Sequence, residues 1–158
     1  MPVINLTTNI HAPLIRVFNL SRSIDLHTVS MQHTKEKAVA GKTTGLIKYG
    51  ETVTWQAKHL FKMRSLKGHI TAMQPYTHFA DEMLEGDFKM MKHEHHFSFN
   101  NGITIMKDIF RFETPYGIIG KIVCTIFLTA YMKKLLQQRN VIIKEYAETD
   151  KWQEILRD

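Results

Sequence analysis

The chain has 158 residues, of which 44% are hydrophobic and 23% charged, a composition typical of a globular protein that buries a core. Its single cysteine, Cys124, excludes an intramolecular disulfide, and because it lies in the most apolar stretch we interpret it as a packing residue. The net charge is +6, but the basic residues are scattered, without a recognition helix or interleaved aromatic residues, so we expect no nucleic-acid partner.

Residues 1–50 predict one strand, two short helices and a second, short strand. Residues 2–10 alternate between apolar and polar side chains, as a strand does. Pro13 suits the first turn of a helix, and Ser21 suits the N-cap of a second helix. A short strand is predicted at about 37–41, and the glycines that follow it predict a connecting segment.

From Glu51 onwards the hydrophobic pattern has a period of two residues, which predicts antiparallel strands. One strand begins there, and another is predicted at about 63–73. The turn sequences Gly86–Asp87 and Asn101–Gly102 predict two further hairpins, and Asn-Gly between alternating segments is the strongest short hairpin signal. Together with the preceding short strand, this gives about six consecutive strands.

After Pro115 the pattern predicts a helix from about Tyr116 to Glu148. Its first half is apolar nearly all round, so we expect it to be buried on the concave side of the sheet, whereas its second half is amphipathic. We expect the tail that follows either to be weakly ordered or to dock through Trp152 and Ile155. In the second half, the residues predicted to face inward are Leu135, Ile142 and Tyr146, and those predicted to face outward are Lys133, Lys134, Gln138 and Lys144.

The order of elements predicts an α+β fold. A strongly curved antiparallel sheet of about seven strands would wrap around the long C-terminal helix. A sheet of this shape leaves an internal cavity between itself and the helix. We expect a single domain over residues 1–158, with a core at about 2–146 and a C-terminal tail at 149–158.

The sequence gives no indication of a targeting or membrane segment. The N-terminal sequence MPVINLTTNIHAP has no basic region followed by an apolar run, so we expect no secretory signal. The longest apolar run, 118–132, is interrupted by Gly120 and Lys121 and is short for a bilayer span, so we expect no membrane insertion. A cytoplasmic location is therefore the expectation.

Three predicted strands between residues 78 and 114 carry ionisable side chains on an otherwise apolar face. Alternation along each strand places these residues on one side of the sheet. Because buried ionisable groups are costly unless they are paired, this face is predicted to line a cavity or to hold a polar network. Its members are Phe79, Asp81, Met83, Met91, His93, His95, Phe97, Thr104, Met106, Asp108 and Phe110.

The two predicted turns fix the register of these strands. With Asn101–Gly102 as a two-residue loop, His95 lies opposite Asp108. With a three-residue turn at 86–88, Asp81 lies opposite His93. Because directly opposed side chains are close enough to interact, the sequence predicts two cross-strand pairs, Asp81–His93 and His95–Asp108.

Three interpretations of Asp81, His93, His95 and Asp108 remain open. In the first, each Asp accepts a hydrogen bond from a His in a structural polar network. In the second, a carboxylate-held imidazole orients a ligand or acts as an acid or base, which makes these four residues the candidate catalytic groups. In the third, the two His and one Asp bind zinc or iron. The polar network is the default, so we expect no cofactor and no metal.

A family resemblance is carried by residues spread over roughly residues 2–146. In chain order they are Ala12, Pro13, Val17, Phe18, Gly45, Gly50, Glu51, the segment WQAKH at 55–59, the segment FADEM at 79–83, Gly86, Phe88, His93, His95, Phe97, Gly102, Thr104, Met106, Asp108, Pro115, Gly117 and Gly120. With the order of elements, they make the chain similar to the SRPBCC superfamily, which includes START lipid-transfer domains, pollen-allergen-like ligand binders and polyketide cyclases. The resemblance is greatest to the small bacterial ligand-binding SRPBCC domains.

The resemblance implies a helix-grip fold with a hydrophobic cavity for a small molecule, and it transfers no established catalytic set onto this chain. The first functional hypothesis is a protein that binds or carries a small hydrophobic or aromatic molecule. The alternatives are an enzyme similar to polyketide cyclases or dehydratases that uses a His–Asp pair, and a regulatory protein-interaction module; the oligomeric state stays open, a homodimer included. The predicted ligand-binding residues are Trp55, His59, Phe79, Asp81, Met83, Met91, His93, His95, Met106, Asp108 and Phe110.

Overall fold

The computed structural model describes residues 1–115 and 118–157, with the side chains of 118–121, 123 and 124 left out. The predicted helix start at Tyr116, the role of Gly117 and the packing of the Cys124 side chain therefore lie outside the described residues. The strands are β1 (Val3–Ile10), β2 (Lys37–Gly41), β3 (Thr52–His59), β4 (Lys62–Gln74), β5 (His78–Glu85), β6 (Met90–Asn100) and β7 (Ile103–Glu113). The helices are α1 (Leu14–Ser21), α2 (Ile24–Ser30), α3 (Ile118–Glu148) and α4 (Trp152–Ile155), with a 3-10 turn at Gln32–Thr34.

The seven strands form one antiparallel sheet in the order β1-β7-β6-β5-β4-β3-β2. Strands that follow each other along the chain from β2 to β7 are neighbours, and β1 pairs with β7. The curved sheet carries the long helix α3, which packs against β1, α1 and α2. The predicted α+β helix-grip architecture is confirmed.

The hairpin turns explain the register of the sheet. Asn101 and Gly102 both have positive φ, 49° and 77°, and Asn100 pairs with Ile103, as predicted for a two-residue Asn-Gly loop. The β3–β4 hairpin has the same loop length, but its two loop residues are Leu60 and Phe61, with φ of 52° and 66°. Side chains without a local hydrogen bond are strained in this left-handed region, so the second turn is less favourable than the first.

The predicted cap of α2 is wrong by two residues. The N-cap is Ser23, whose hydroxyl accepts a hydrogen bond from the backbone N–H of Leu26 at 3.1 Å. Helix α1 continues through Ser21, so that residue lacks the extended backbone that an N-cap needs. The Ser21 hydroxyl instead donates to the carbonyl oxygen of Val17 at 2.8 Å.

The apolar sequence predicted that the first half of α3 is buried, and this prediction is wrong for part of its surface. Ile122 and Ile126 are 65% and 67% exposed, and Phe127 is also exposed. Further along, Leu135 is buried and both Ile142 and Tyr146 are packed against the core, as predicted. The first half of the helix therefore packs with only one side, which includes Leu128 and Met132, and the second half makes the contacts with the main core. No helix among the described residues is both long enough and apolar enough to cross a membrane.

The C-terminal tail docks onto the protein. Trp152 and Ile155 pack against the main hydrophobic core, as one of the two predicted alternatives required. The guanidinium of Arg16 in α1 lies 4.3 Å from the centre of the Trp152 ring. This cation–π contact adds to the apolar packing that holds α4 beside α1.

Candidate functional site

A cavity of about 410 Å³ lies between the sheet and α3. Most of its walls are hydrophobic side chains, and its volume is in the range of small-molecule binding sites. From the sheet, the walls include Val53, Trp55, Ala57, Phe79, Met91 and Phe110. From α3, they include Phe127, Leu128, Tyr131, Met132, Leu135 and Leu136.

The structure places most of the predicted ligand-binding residues on the cavity wall. Met83, Met106 and Asp108 are not among the lining residues. Met106 and Asp108 are fully buried beneath the wall, and Met83 packs in a separate hydrophobic cluster. The predicted residues that line the cavity are Trp55, His59, Phe79, Asp81, Met91, His93, His95 and Phe110.

The predicted strand register is confirmed, but the side-chain hydrogen bonds differ from the predicted pairs. Asp81 lies opposite His93 and His95 opposite Asp108 along the backbone. The hydrogen bonds, however, run diagonally: His93 Nε2 to Asp108 Oδ1 at 2.9 Å, and His95 Nε2 to Asp81 Oδ2 at 3.0 Å. Diagonal neighbours in a sheet are within reach of side chains as long as His, so register alone does not select the partner.

His95 also approaches the second carboxylate. Its Nδ1 lies 3.1 Å from Asp108 Oδ1, but only the Nε2 contact with Asp81 has the geometry of a hydrogen bond. The buried Nδ1 is left without a hydrogen-bond partner among the described residues. Since a carboxylate only accepts hydrogen bonds, Nε2 must carry the proton that His95 donates to Asp81.

Two buried polar residues of α3 complete the cluster, and the sequence analysis missed both. Asn140 Nδ2 donates to Asp108 Oδ2 at 2.7 Å, and Arg139 Nη1 lies 3.5 Å from Asp108 Oδ1. Arg139 is fixed by hydrogen bonds to Asn140 Oδ1 and to the carbonyl oxygen of Ser21 at the end of α1, both at 3.1 Å. Arg139 and Asn140 share a face of α3 with Leu136 and Ile143, which are apolar and buried. This helical spacing was the signal that could have predicted their burial.

Burial and hydrogen bonds shift the pKa values in this cluster. Burial, reinforced by the neighbouring His95, lowers the pKa of His93 to about 4, so that its ring is neutral at pH 7. Burial alone would raise the pKa of Asp108, but the hydrogen bond from His93, the close approach of His95 and the charge of Arg139 hold it well below its usual range. The hydrogen bond from His95 likewise outweighs burial and lowers the pKa of Asp81. Asp81 and Asp108 are therefore ionised at neutral pH, and the His93 ring between them is neutral.

A second contact joins the sheet to α3 beside the cavity. His59 Nδ1 and the Tyr131 hydroxyl form a hydrogen bond of 2.8 Å between β3 and α3. Burial lowers the pKa of His59 and raises that of Tyr131, so both side chains are uncharged at pH 7. Leu60 lines the cavity next to His59, whereas Phe61 at the hairpin tip is 98% exposed. These residues form the edge of the cavity at the β3–β4 hairpin.

A second group of possible metal ligands lies on the opposite face of the same strands. The donor atoms of His78, Glu94 and His96 lie within 4.8 Å of one another, and all three residues are half-buried. The rings of His78 and His96 are 4.6 Å apart across β5 and β6. The carboxylate of Glu94 forms an ion pair with Arg111, so its negative charge is already balanced and does not favour a bound cation.

No protein-family model and no curated protein sequence matches the chain, but solved structures match it over most of its length. A START superfamily protein from Mycobacterium smegmatis has a TM-score of 0.70 at 8% identity, covering 92% of this chain and 97% of its own. The protein TTHA0849 from Thermus thermophilus has a TM-score of 0.70 at 16% identity, covering 90% and 97%.

Major latex-like protein 151 of ginseng, Panax ginseng, has a TM-score of 0.66 at 15% identity, covering 92% of this chain and 97% of its own. Sequence identities this low establish the fold and do not carry a function. The chain has the helix-grip fold of these structures, as the resemblance in its sequence predicted.

Proposed function

We propose that the protein binds a small hydrophobic or aromatic molecule in the cavity between the sheet and α3. The observation that supports this is the composition of the walls: apolar and aromatic side chains around about 410 Å³, with a compact group of polar residues. Small-molecule sites have this composition, in which apolar walls supply affinity and a few fixed polar groups orient the ligand.

The polar cluster would fix the orientation of the bound molecule in the cavity. Asp81, His93, His95 and Arg139 all line the cavity, while Asp108 holds two of them from beneath. A ligand with an apolar body and one hydroxyl or carbonyl group would place that group at the cluster, since buried polar atoms need partners. Its body would then contact the walls formed by the sheet and α3.

Native mass spectrometry of freshly purified protein, compared with its denatured mass, tests for a retained ligand. An organic mass lost on denaturation supports the proposal and gives the ligand's class. For added ligands, Trp55 offers a direct probe, because the only other tryptophan, Trp152, lies at the C-terminal tail. In a Trp152→Phe background, fluorescence of Trp55 should change on titration with hydrophobic or aromatic compounds.

A matched pair of variants separates cavity binding from surface adsorption. Ala57→Phe adds a ring to a buried residue of the cavity wall, whereas Val141→Phe adds a ring to an exposed position of α3. We expect the first to abolish the fluorescence titration and the second to leave it unchanged. Equal binding by both variants would contradict the proposal.

A proton-transfer enzyme is the second candidate, favoured by the hydrogen bond between His95 and Asp81 on the cavity wall. Because both ring nitrogens of His95 face carboxylates, the group of this pair that could abstract a proton beside a ketone, as a cyclase or dehydratase reaction requires, is the partly exposed carboxylate of Asp81, which His95 orients. Under this alternative, Asp81→Asn abolishes turnover of an enolisable ketone but keeps its binding. A carrier shows no turnover in the unchanged protein.

A further inference from the structure

Three possible metal ligands converge on the cavity wall. The donor atoms of Asp81, His93 and His95 lie within 4.8 Å of one another, and all three residues line the cavity. We propose that Asp81, His93 and His95 form a binding site for a divalent transition-metal ion, zinc or iron(II). The proposal goes beyond binding of a hydrophobic molecule and does not rest on it.

The donor set suits these metals. Two imidazole nitrogens and one carboxylate oxygen are a common ligand set for zinc and for iron(II), and three protein ligands leave a coordination position open. Here that position would face the cavity. Two ligands of a tetrahedral zinc ion lie roughly 3.3 Å apart; His95 Nε2 and Asp81 Oδ2 are already 3.0 Å apart. His93 offers a ring nitrogen within 4.8 Å of a donor atom of each of the other two residues.

Asp108 supplies the support that metal-binding histidines usually have. His93 Nε2 donates to Asp108 Oδ1, which leaves its Nδ1 for a metal. His95 Nδ1 lies beside the same oxygen, which leaves Nε2, next to Asp81, for a metal. A carboxylate behind a metal-bound imidazole fixes its orientation and tautomer, and Asp108 is itself fixed by Asn140. The cross-strand pairs predicted from sequence would not have given one carboxylate shared by both rings.

The orphaned nitrogen of His95 is an independent indication. The buried Nδ1 lies 3.1 Å from the Asp108 carboxylate and has no hydrogen-bond partner among the described residues. A metal on Nε2 would leave the proton of the bound imidazole on Nδ1, where Asp108 can accept it, so the orphaned atom gains a partner.

The charges of the cluster also favour a cation. Arg139 lies 3.5 Å from Asp108 and balances it. Asp81, within the part of the chain that the structure describes, has no lysine or arginine at ion-pair distance. A half-buried carboxylate with no lysine or arginine beside it is stabilised by a bound divalent ion.

The test uses untagged protein, stripped with a chelator and titrated with zinc alone by calorimetry. Cobalt(II) in place of zinc gives visible absorption bands that report nitrogen and oxygen ligation. We expect one ion per chain. Asp81→Asn and His95→Gln should each reduce affinity by at least the 10- to 100-fold typical of disturbed metal sites, and Asp108→Asn by about that amount.

The outer cluster supplies a matched control on the same strands. His96→Gln removes a histidine from His78, Glu94 and His96 and should leave the zinc affinity and the cobalt spectrum unchanged. Absence of saturable binding to the unchanged protein overturns the proposal, as does binding that survives Asp81→Asn but is lost in His96→Gln. Thermal melting verifies that each variant is folded. Asp81→Asn is the substitution least expected to disturb core packing, because the Asp81 side chain is partly exposed.

The outcome is separable from the proposed function. Trp55 fluorescence titrations with hydrophobic compounds are carried out with and without a chelator. Ligand binding that persists while zinc binding is absent overturns the metal site and leaves the proposed function standing. Zinc binding with the expected variant pattern supports the metal site whatever the result of the fluorescence titrations.

Discussion

Asp108 accepts a hydrogen bond from His93, which lies diagonally across the β6–β7 ladder, although His95 is the residue directly opposite it. The same carboxylate accepts a second hydrogen bond from Asn140 of α3. A single buried acid thus ties the wall of the cavity to the helix that covers it. The stability of the fold and the geometry of the site consequently depend on the same side chain.

Replacing Asp108 should destabilise the protein strongly. Asp108→Ala removes the acceptor of His93 and Asn140 and leaves the buried Arg139 guanidinium without its counter-charge. Breaking a buried charge pair from one side typically costs about 3–5 kcal/mol in free energy of unfolding, which urea denaturation measures. The control is Asp87→Ala, because Asp87 forms an exposed ion pair with Arg64 and its loss should cost roughly 1 kcal/mol or less. Equal losses in both variants would contradict this account.

Stability should fall as the pH decreases from about 6.5 to 4. The unfolded chain protonates His93 near pH 6.5, its usual value, whereas the folded protein protonates it only near pH 4. Between these values the unfolded state binds more protons, so the free energy of unfolding falls as the pH is lowered, by about 3 kcal/mol for this group. The titratable groups that act on His93 are His95, Asp108 and Asp81, and Arg139 of α3 lies 3.5 Å from Asp108 Oδ1.

The measurement is urea denaturation across this pH range in the presence of a chelator. Asp108 and Asp81, with lowered pKa values, add a further loss of stability only below about pH 4, because their contribution disappears when they are protonated in both states. His93→Gln should flatten the profile between pH 6.5 and 4, and His96→Gln on the outer face should not. A wild-type profile that is flat over this range would show that His93 is not buried as a neutral ring.

The sequence predicted the sheet well because its registers depend on local turn chemistry. Asn101–Gly102 fixed the β6–β7 pairing, and the turn predicted at 86–88 gave the observed pairing of Asp81 with His93, although the segment between β5 and β6 spans 86–89. The hydrogen-bond partners could not be predicted in the same way, because they depend on side-chain reach and on groups brought in by α3. Arg139 and Asn140 were missed since polar residues of an amphipathic helix are normally assigned to its solvent face.

The β3–β4 turn should tolerate, and benefit from, a double substitution. Leu60 and Phe61 both occupy left-handed backbone conformations, which cost residues of their type about 1 kcal/mol or more each. Replacing them with Asn-Gly, the sequence that forms the β6–β7 turn, should raise the free energy of unfolding by roughly 1–2 kcal/mol. Thermal and urea denaturation measure this, and Asn101→Leu combined with Gly102→Phe should have the opposite effect. Destabilisation by the Asn-Gly substitution would show that the apolar side chains of this turn contribute packing that exceeds the strain.

The hydrogen bond between His59 and Tyr131 should control the exchange of ligand. It is a side-chain link between β3 and α3 at the edge of the cavity, and the neighbouring α3 residue Phe127 is exposed. Tyr131→Phe removes the hydroxyl but keeps the ring, so it should cost only about 0.5–1.5 kcal/mol in stability. Local opening between strand and helix becomes easier by a similar free energy, and ligand release should accelerate by roughly 2- to 10-fold.

Stopped-flow fluorescence of Trp55 in the Trp152→Phe background measures this release directly. The matched control is Tyr146→Phe, which removes a hydroxyl from the second half of α3, where the helix packs against the core away from the cavity wall. Faster release with unchanged association would mean that the hydrogen bond stabilises the ligand-bound state. Equal acceleration of both rates would mean that the hydrogen bond limits an opening through which the ligand both enters and leaves. Unchanged release and association in Tyr131→Phe would mean that the ligand passes elsewhere, and the hydrogen bond would then serve only to hold β3 against α3.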